Sequence, residues 1–143
     1  MGTSRGTVYY TQHREVTSNK PHYLVVLNCD PDSAQYIVFG VITSNINDAK
    51  LRIVHNRQPL ETLVFLTPSD YPELNHDSVI DCNSPVKLSK WEFDCAFAQI
   101  NATRKTDMPD RICNAIVSGA LASTMVAQNI KKLLSTPIKS ALP

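Results

Sequence analysis

The sequence of 143 residues lacks most of the short motifs that identify a catalytic or cofactor site. It contains no glycine-rich phosphate loop and no nucleophile elbow between a strand and a helix. The four cysteines are widely spaced with no Cys-x-x-Cys pair, and no two histidines stand at metal-ligand spacing. These absences disfavour a small-molecule enzyme, a zinc knuckle and a redox centre, and we expect reduced, buried thiols, no metal and no cofactor.

Charge and hydropathy disfavour a protein that binds nucleic acid nonspecifically over its whole surface and a membrane protein. The chain has 14 basic and 13 acidic residues, so its net charge is +1 and any surface that binds nucleic acid has to be a local patch. No apolar run approaches the roughly 20 residues that cross a bilayer. Residues 1–6 contain no apolar signal core, and Gly6 stands where a myristoylation motif has Ser or Thr. We expect a cytoplasmic protein without a membrane partner.

Hydrophobic patterning predicts that the first hundred residues form many short strands. Stretches rich in β-branched or aromatic residues, separated by Pro, Asn, Asp and Ser, occur at 8–10, 23–27, 36–42, 51–55, 62–66, 78–81 and 96–100. Short strands at this spacing are typical of a small barrel or sandwich. Residues 69–73 and 90–93 are predicted to form turns or brief helices.

The last third of the chain changes to helical periodicity. Apolar residues recur at helical spacing from Ile112 to Leu134, Pro109 suits a first helical turn, and Asp107 is the expected cap. We predict one amphipathic closing helix, weakened at Gly119 because glycine is a poor helix former.

The chain length favours a single domain. We place that domain at residues 1–134 and a flexible tail at residues 135–143, where two prolines flank small and polar residues.

Four short segments, at Arg5–Tyr10, Lys20–Leu27, Val41–Ser44 and Ser78–Asn83, follow one another in an order and spacing that resemble the MazF/PemK family of toxin endoribonucleases. The resemblance covers residues 5–134. It implies an SH3-like small antiparallel β-barrel with a C-terminal helix, and a homodimer neutralised by a cognate antitoxin protein. It also implies sequence-selective cleavage of single-stranded RNA.

Cleaving RNA without a metal uses the ribose 2′-hydroxyl as nucleophile and requires a base, an acid and donors to the charged phosphorane. The resemblance implies that Lys20 and Thr43 are catalytic, as donors to the phosphate oxygens. His13 is a loop histidine that can transfer a proton near neutrality, and it is the third catalytic candidate. Thr43 could instead bond its own backbone, as strand-end hydroxyls often do. The candidate RNA-binding residues are Arg14, Ser44, Asp81 and Asn83.

Several positions depart from the family pattern. Lys20 replaces an arginine and so lacks the planar two-pronged grip on phosphate. Asp81 and Asn83 stand where some members have Arg and Asp, and Thr7 replaces a frequent acidic residue. A noncatalytic module of the same fold, binding RNA or a protein partner, is therefore the alternative. Gyrase poisoning is disfavoured. The related gyrase-poisoning toxins act through a C-terminal helix that ends in Trp, whereas this sequence ends in Ser-Ala-Leu-Pro.

Overall fold

The computed structural model of the chain describes residues 3–11, 21–99 and 102–135. His13, Arg14, Lys20 and all but the first residue of the predicted tail lie outside these ranges. The strands are β1 Val8–Thr11, β2 His22–Val26, β3 Tyr36–Thr43, β4 Leu63–Leu66, β5 Ser78–Asp81, β6 Val86–Ser89 and β7 Thr103–Lys105. The helices are α1 Ile46–His55, α2 Lys90–Gln99, α3 Asp110–Ala122 and α4 Gln128–Leu134.

The seven strands form one sheet in the order β4-β5-β3-β2-β1-β7, with β6 beside β3. Every pairing is antiparallel. One edge of β3 pairs with β2, whereas the other pairs first with β6, through residues 36–39, and then with β5, through Ile42 and Thr43. The predicted mainly antiparallel β fold with a C-terminal helix is confirmed, with two helices in place of one, although the strands of the described residues do not close into a barrel.

Alternating side chains of the central strands build a core on each face of the sheet. On one face Val25, Val38 and Ile42 pack with residues of α3 and α4. On the other face Phe39 and its neighbours on β2 pack against Phe93 of α2. Helix α1 closes a smaller cluster over the outer strands, formed by Ala49, Ile53, Leu63 and Val79. Strand β3 contributes to the cores on both faces of the sheet, and its last residues pair with β5, which also contributes to the α1 cluster.

Two predicted strands are helical. Residues 51–55 are the second half of α1, because Ala49 and Ile53, four residues apart, are buried while Leu51 and Val54 are exposed. Residues 96–99 complete α2, which begins at Lys90, where a brief helix was predicted. Residue 100 lies outside the described ranges. Both segments are rich in apolar residues, as was recognised, but they are helices rather than the predicted strands.

Strands β6 and β7 were missed because both are short and carry few apolar residues, two in β6 and none in β7. β7 consists of Thr-Arg-Lys and β6 of Val-Lys-Leu-Ser. Each is a strand because it hydrogen-bonds to a stronger one, β6 to the first half of β3 and β7 to β1.

The single closing helix that the periodicity predicted is two helices. Helix α3 ends at Ala122, and Ser123 has extended backbone, is buried, and accepts a 2.7 Å hydrogen bond at its carbonyl from Lys131 Nζ. Pro109, rather than the predicted Asp107, occupies the cap position, and Asp107 instead pairs with Arg104.

The Arg5-Gly6 segment has a structural role. Arg5 Nε donates a 2.8 Å hydrogen bond to the carbonyl of Leu27, and the same guanidinium binds the last carbonyl of α4, at Leu134. Gly6 has a φ of 93°, which other residues rarely adopt, and its N–H donates to Val26. This segment therefore ties the C-terminal helix to β2.

Gly119 is a packing glycine rather than a weak point of the helix. A Cβ at this position would lie 2.7 Å from the carbonyl oxygen of Glu61 and 2.9 Å from Sγ of Cys82. Because backbone cannot move aside easily, Gly119→Ala should lower the free energy of unfolding by about 1–3 kcal/mol in urea denaturation. Ala normally stabilises a helix by about 1 kcal/mol relative to Gly.

The matched control is Ser118→Ala at the neighbouring exposed position, which should change stability by less than about 0.5 kcal/mol. A Gly119→Ala protein more stable than the parent would contradict the close packing of α3.

Candidate functional site

Two cavities lie at the end of β3, and alternating residues line one each, Val41 and Thr43 the first and Ile42 and Ser44 the second. Thr43 lines a cavity of about 260 Å³, here called the Thr43 cleft, formed by Val41, Thr43, Arg52, Asp81, Ser84 and Val86. Ser44 lines a second cavity of about 240 Å³, here called the histidine pocket. The histidine pocket is formed by Tyr10, Pro21, His22, Tyr23, Ile42, Ser44, Leu74, Asn75, His76 and Ser78.

The Thr43 hydroxyl is oriented by its own backbone and remains able to donate. The N–H of Asn45 donates a 3.1 Å hydrogen bond to Thr43 Oγ1. The hydroxyl proton has no acceptor within the described part of the chain. The bond to its own backbone that the sequence allowed is therefore present. It leaves the hydroxyl of this half-buried residue able to donate to a group bound in the Thr43 cleft.

An ion pair lies beside Thr43 in the same cleft. Arg52 Nε is 3.3 Å from Asp81 Oδ2, and the exposed fractions of the two side chains are 49% and 9%. The other carboxylate oxygen of Asp81 accepts two 3.0 Å bonds from Asn83, one from the backbone N–H and one from the side-chain amide. Asp81 is thus held nearly buried, whereas the guanidinium of Arg52 reaches solvent.

Asn83 supports Asp81 from within the core. Its side chain is buried, and its amide also donates a 2.8 Å hydrogen bond to Thr62 Oγ1. Of the predicted RNA-binding residues, Asn83 therefore has its donors committed to the protein, and Asp81 is the one that lines the cleft.

Arg52 is the functional candidate that the sequence interpretation missed. It was assigned to a strand, where nothing linked it to Asp81. The helical spacing of Ile46, Ala49 and Ile53, which all contribute to one apolar cluster, is the signal that could have identified α1. In a helix, Arg52 faces the end of β5 and places a cation beside Asp81, which stands where some members of the resembled family have Arg.

The histidine pocket combines imidazole, phenol and hydroxyl groups. Nδ1 of His22 lies 3.0 Å from the carbonyl oxygen of Ile42. The rings of Tyr10 and Tyr23 are 4.6 Å apart, and Lys105 Nζ lies 5.9 Å from the centre of the Tyr10 ring. Burial, followed by the neighbouring Tyr10 and Glu73 charges, raises the pKa of Tyr23, so this phenol stays neutral at physiological pH.

The two buried cysteines are not activated as nucleophiles. All four are free, with Cys82 and Cys113 buried and Cys29 and Cys95 half-buried. Burial, with a smaller contribution from the Asp81 charge, raises the pKa of Cys82 to about 12, and burial raises that of Cys113 to about 11. Both buried thiols therefore stay protonated, and a thiolate nucleophile is not available from them.

The structure brings Thr43 and Asp81 together in the Thr43 cleft, with Asn83 directly behind Asp81, whereas Ser44 lines the histidine pocket. Arg14, His13 and Lys20 lie outside the described residues, and their roles stay predictions. The chain re-enters the described part at Pro21, which lines the histidine pocket.

No group of three potential metal ligands occurs in residues 3–11, 21–99 and 102–135. Among the helices of these same ranges, none has the length and apolar character needed to cross a membrane.

No family model and no curated protein matches the sequence. The fold, in contrast, resembles solved structures. An endoribonuclease from a mycobacterial species, solved in complex with its cognate antitoxin, aligns over 95% of this chain and 100% of its own, with a TM-score of 0.53 and 14% identity. The Mycobacterium tuberculosis toxin MazF-mt6 aligns over 80% of this chain and 91% of its own, with a TM-score of 0.50 and 12% identity. The chain therefore has the fold of the MazF toxin endoribonucleases.

Proposed function

We propose that this protein is the toxin of a type II toxin-antitoxin pair and cleaves single-stranded RNA as a metal-independent, sequence-selective endoribonuclease. The observation that carries the proposal is the Thr43 hydroxyl, which stands at the end of the central strand with a free proton and an arginine beside it. The fold shared with two solved toxins supports the same function.

In the proposed reaction the ribose 2′-hydroxyl attacks the adjacent phosphorus, and negative charge grows on the nonbridging oxygens. Thr43 donates to one of these oxygens, and the exposed guanidinium of Arg52 attracts the phosphate. Lys20 adds a second cation and His13 a proton-transfer group, both from the part of the sequence before Pro21. Of the predicted RNA-binding residues, Arg14, Ser44 and Asp81 are proposed to contact the rest of the RNA, and the buried Asn83 to hold Asp81 in place.

Two protein partners belong to the proposal, a cognate antitoxin and a second copy of the chain. The mycobacterial relative was solved with its antitoxin, which supports the first. Around α1 the side chains of Leu51, Val54 and Leu60 are 67%, 75% and 66% exposed, an apolar surface that a protein partner could cover.

A noncatalytic module of the same fold is the second candidate, and the Asp81 carboxylate favours it. An anion in the Thr43 cleft repels the phosphate that a ribonuclease has to hold. Arg52 offsets that charge at 3.3 Å. Binding of a long mixed RNA that stays intact would support the module, and defined fragments formed in EDTA would support the enzyme.

Replacing Thr43 separates the chemistry from the fold. Thr43→Val keeps the shape and removes the donor, so the single-turnover cleavage rate of a long mixed RNA in EDTA should fall by about 10²-fold with nearly unchanged RNA affinity. Stability should change little, because the lost bond to Asn45 is solvent-exposed.

Thr43→Ser is the matched control, since it retains the hydroxyl and should keep most of the rate. Cleavage by Thr43→Val at the parental rate would remove Thr43 from the site even if the protein is a ribonuclease.

Replacing Arg52 tests the phosphate contact. Arg52→Gln should weaken binding of a 2′-O-methylated RNA, which cannot be cleaved, by about tenfold at low salt, because a charge-assisted hydrogen bond is lost. The slope of log affinity against log salt should become shallower by about one. Fluorescence anisotropy across a salt series measures both quantities.

The control is Arg111→Gln on α3. This substitution removes another ion-paired arginine, whose guanidinium lies 2.9 Å from the carboxylate of Asp70. Equal effects of the two substitutions would show that only net charge matters and would place the RNA away from the Thr43 cleft.

A further inference from the structure

The imidazole of His22 is fixed in one tautomer by the neighbouring strand. Its Nδ1 lies 3.0 Å from the carbonyl oxygen of Ile42, on β3. A carbonyl oxygen only accepts hydrogen bonds, so Nδ1 carries the hydrogen. In a neutral imidazole the other nitrogen, Nε2, then holds the lone pair. The backbone of β3 thereby prepares His22 to accept a proton at Nε2.

The same histidine lies at the first residue of β2, next to the end of β3 that carries Thr43. Tyr23 pairs with Ile42 across β2 and β3, so the next step of this antiparallel register sets His22 opposite Thr43. His22 also lines the histidine pocket together with Ser44. We expect a nucleotide bound across the end of β3 to reach both the Thr43 hydroxyl and the His22 imidazole.

We propose that His22 is the catalytic base that takes the proton from the ribose 2′-hydroxyl, an inference that rests on the proposed ribonuclease function. As the 2′-oxygen forms its bond to phosphorus, its proton passes to Nε2 and the bond from phosphorus to the 5′-oxygen breaks. The leaving oxygen takes a proton from solvent, and the imidazolium later returns its proton to solvent. The products are a 2′,3′-cyclic phosphate and a 5′-hydroxyl.

The anchoring bond distinguishes His22 from the other histidine of the pocket. His76 is exposed, and its ring makes no hydrogen bond within the described part of the chain. A general base is effective when its orientation is held before the substrate binds, because the reorientation then costs nothing during the reaction. The Ile42 carbonyl supplies this orientation to His22 alone.

The substitution His22→Asn tests the proposal, because the Asn amide can still donate to the Ile42 carbonyl while no group replaces Nε2. On an RNA that the parent cleaves, the single-turnover rate should fall by about 10²- to 10⁴-fold with RNA affinity within a few-fold. Added imidazole should restore part of the rate, which a merely structural role of His22 would not allow. His55→Asn, at an exposed position on α1, is the matched control and should cleave at the parental rate.

The outcomes separate this proposal from the function on which it rests. A parent protein that cleaves no RNA overturns the ribonuclease function. A parent that cleaves, together with His22→Asn at the parental rate or inactive without imidazole rescue, overturns only the role of His22. Loss and rescue in His76→Asn but not in His22→Asn would assign the base to His76 instead.

A second measurement needs no variant. Nitrogen chemical shifts of the imidazole in the parent protein report its tautomer, which is assigned from the hydrogen-bond geometry. We expect His22 in the neutral state to carry its hydrogen on Nδ1. A hydrogen on Nε2 would remove the lone pair that the proposal requires and would overturn it.

Discussion

Hydrogen bonding along both edges of β3 is the constraint on which the candidate site depends. Its pairing with β2 places His22 against the Ile42 carbonyl, and its pairing with β5 sets Thr43 opposite Val79, two residues before Asp81. The strand is buried on both faces over most of its length, so its backbone groups have to be satisfied by these neighbours. Such a scaffold holds the polar groups at its end more precisely than a loop could.

The Arg52–Asp81 pair explains how the fold accommodates an anion at this position. Asp81 is only 9% exposed, yet its oxygens accept bonds from Arg52 and twice from Asn83, so its charge is compensated by the protein. Arg52 is half-exposed and so contributes little to stability through this pair. Its larger significance is its position. Helix α1 places the Arg52 cation beside Asp81, the last residue of β5, which stands where some members of the resembled family have Arg.

The strongest strands could be predicted because the residues of β2, β3 and β5 are apolar or β-branched almost throughout. Residues 51–55 could not be assigned as easily, since a short apolar run fits a strand and a helix alike. β6 and β7 depend on pairing partners far away in the chain. At the candidate site, Thr43 was predicted through the resemblance, whereas Arg52 could be proposed only from the packing of α1 on β5. The significance of His22 depends on a carbonyl of the neighbouring strand, which only the register reveals.

The chemical identity of newly formed RNA ends tests the central claim most directly. A long RNA incubated with the purified protein in EDTA would be analysed by mass spectrometry. The account predicts fragments that carry 2′,3′-cyclic phosphates and 5′-hydroxyls, because attack by the 2′-hydroxyl leaves these groups. Fragments with 5′-phosphates and 3′-hydroxyls, or RNA that is cut only when a divalent metal is added, would contradict it.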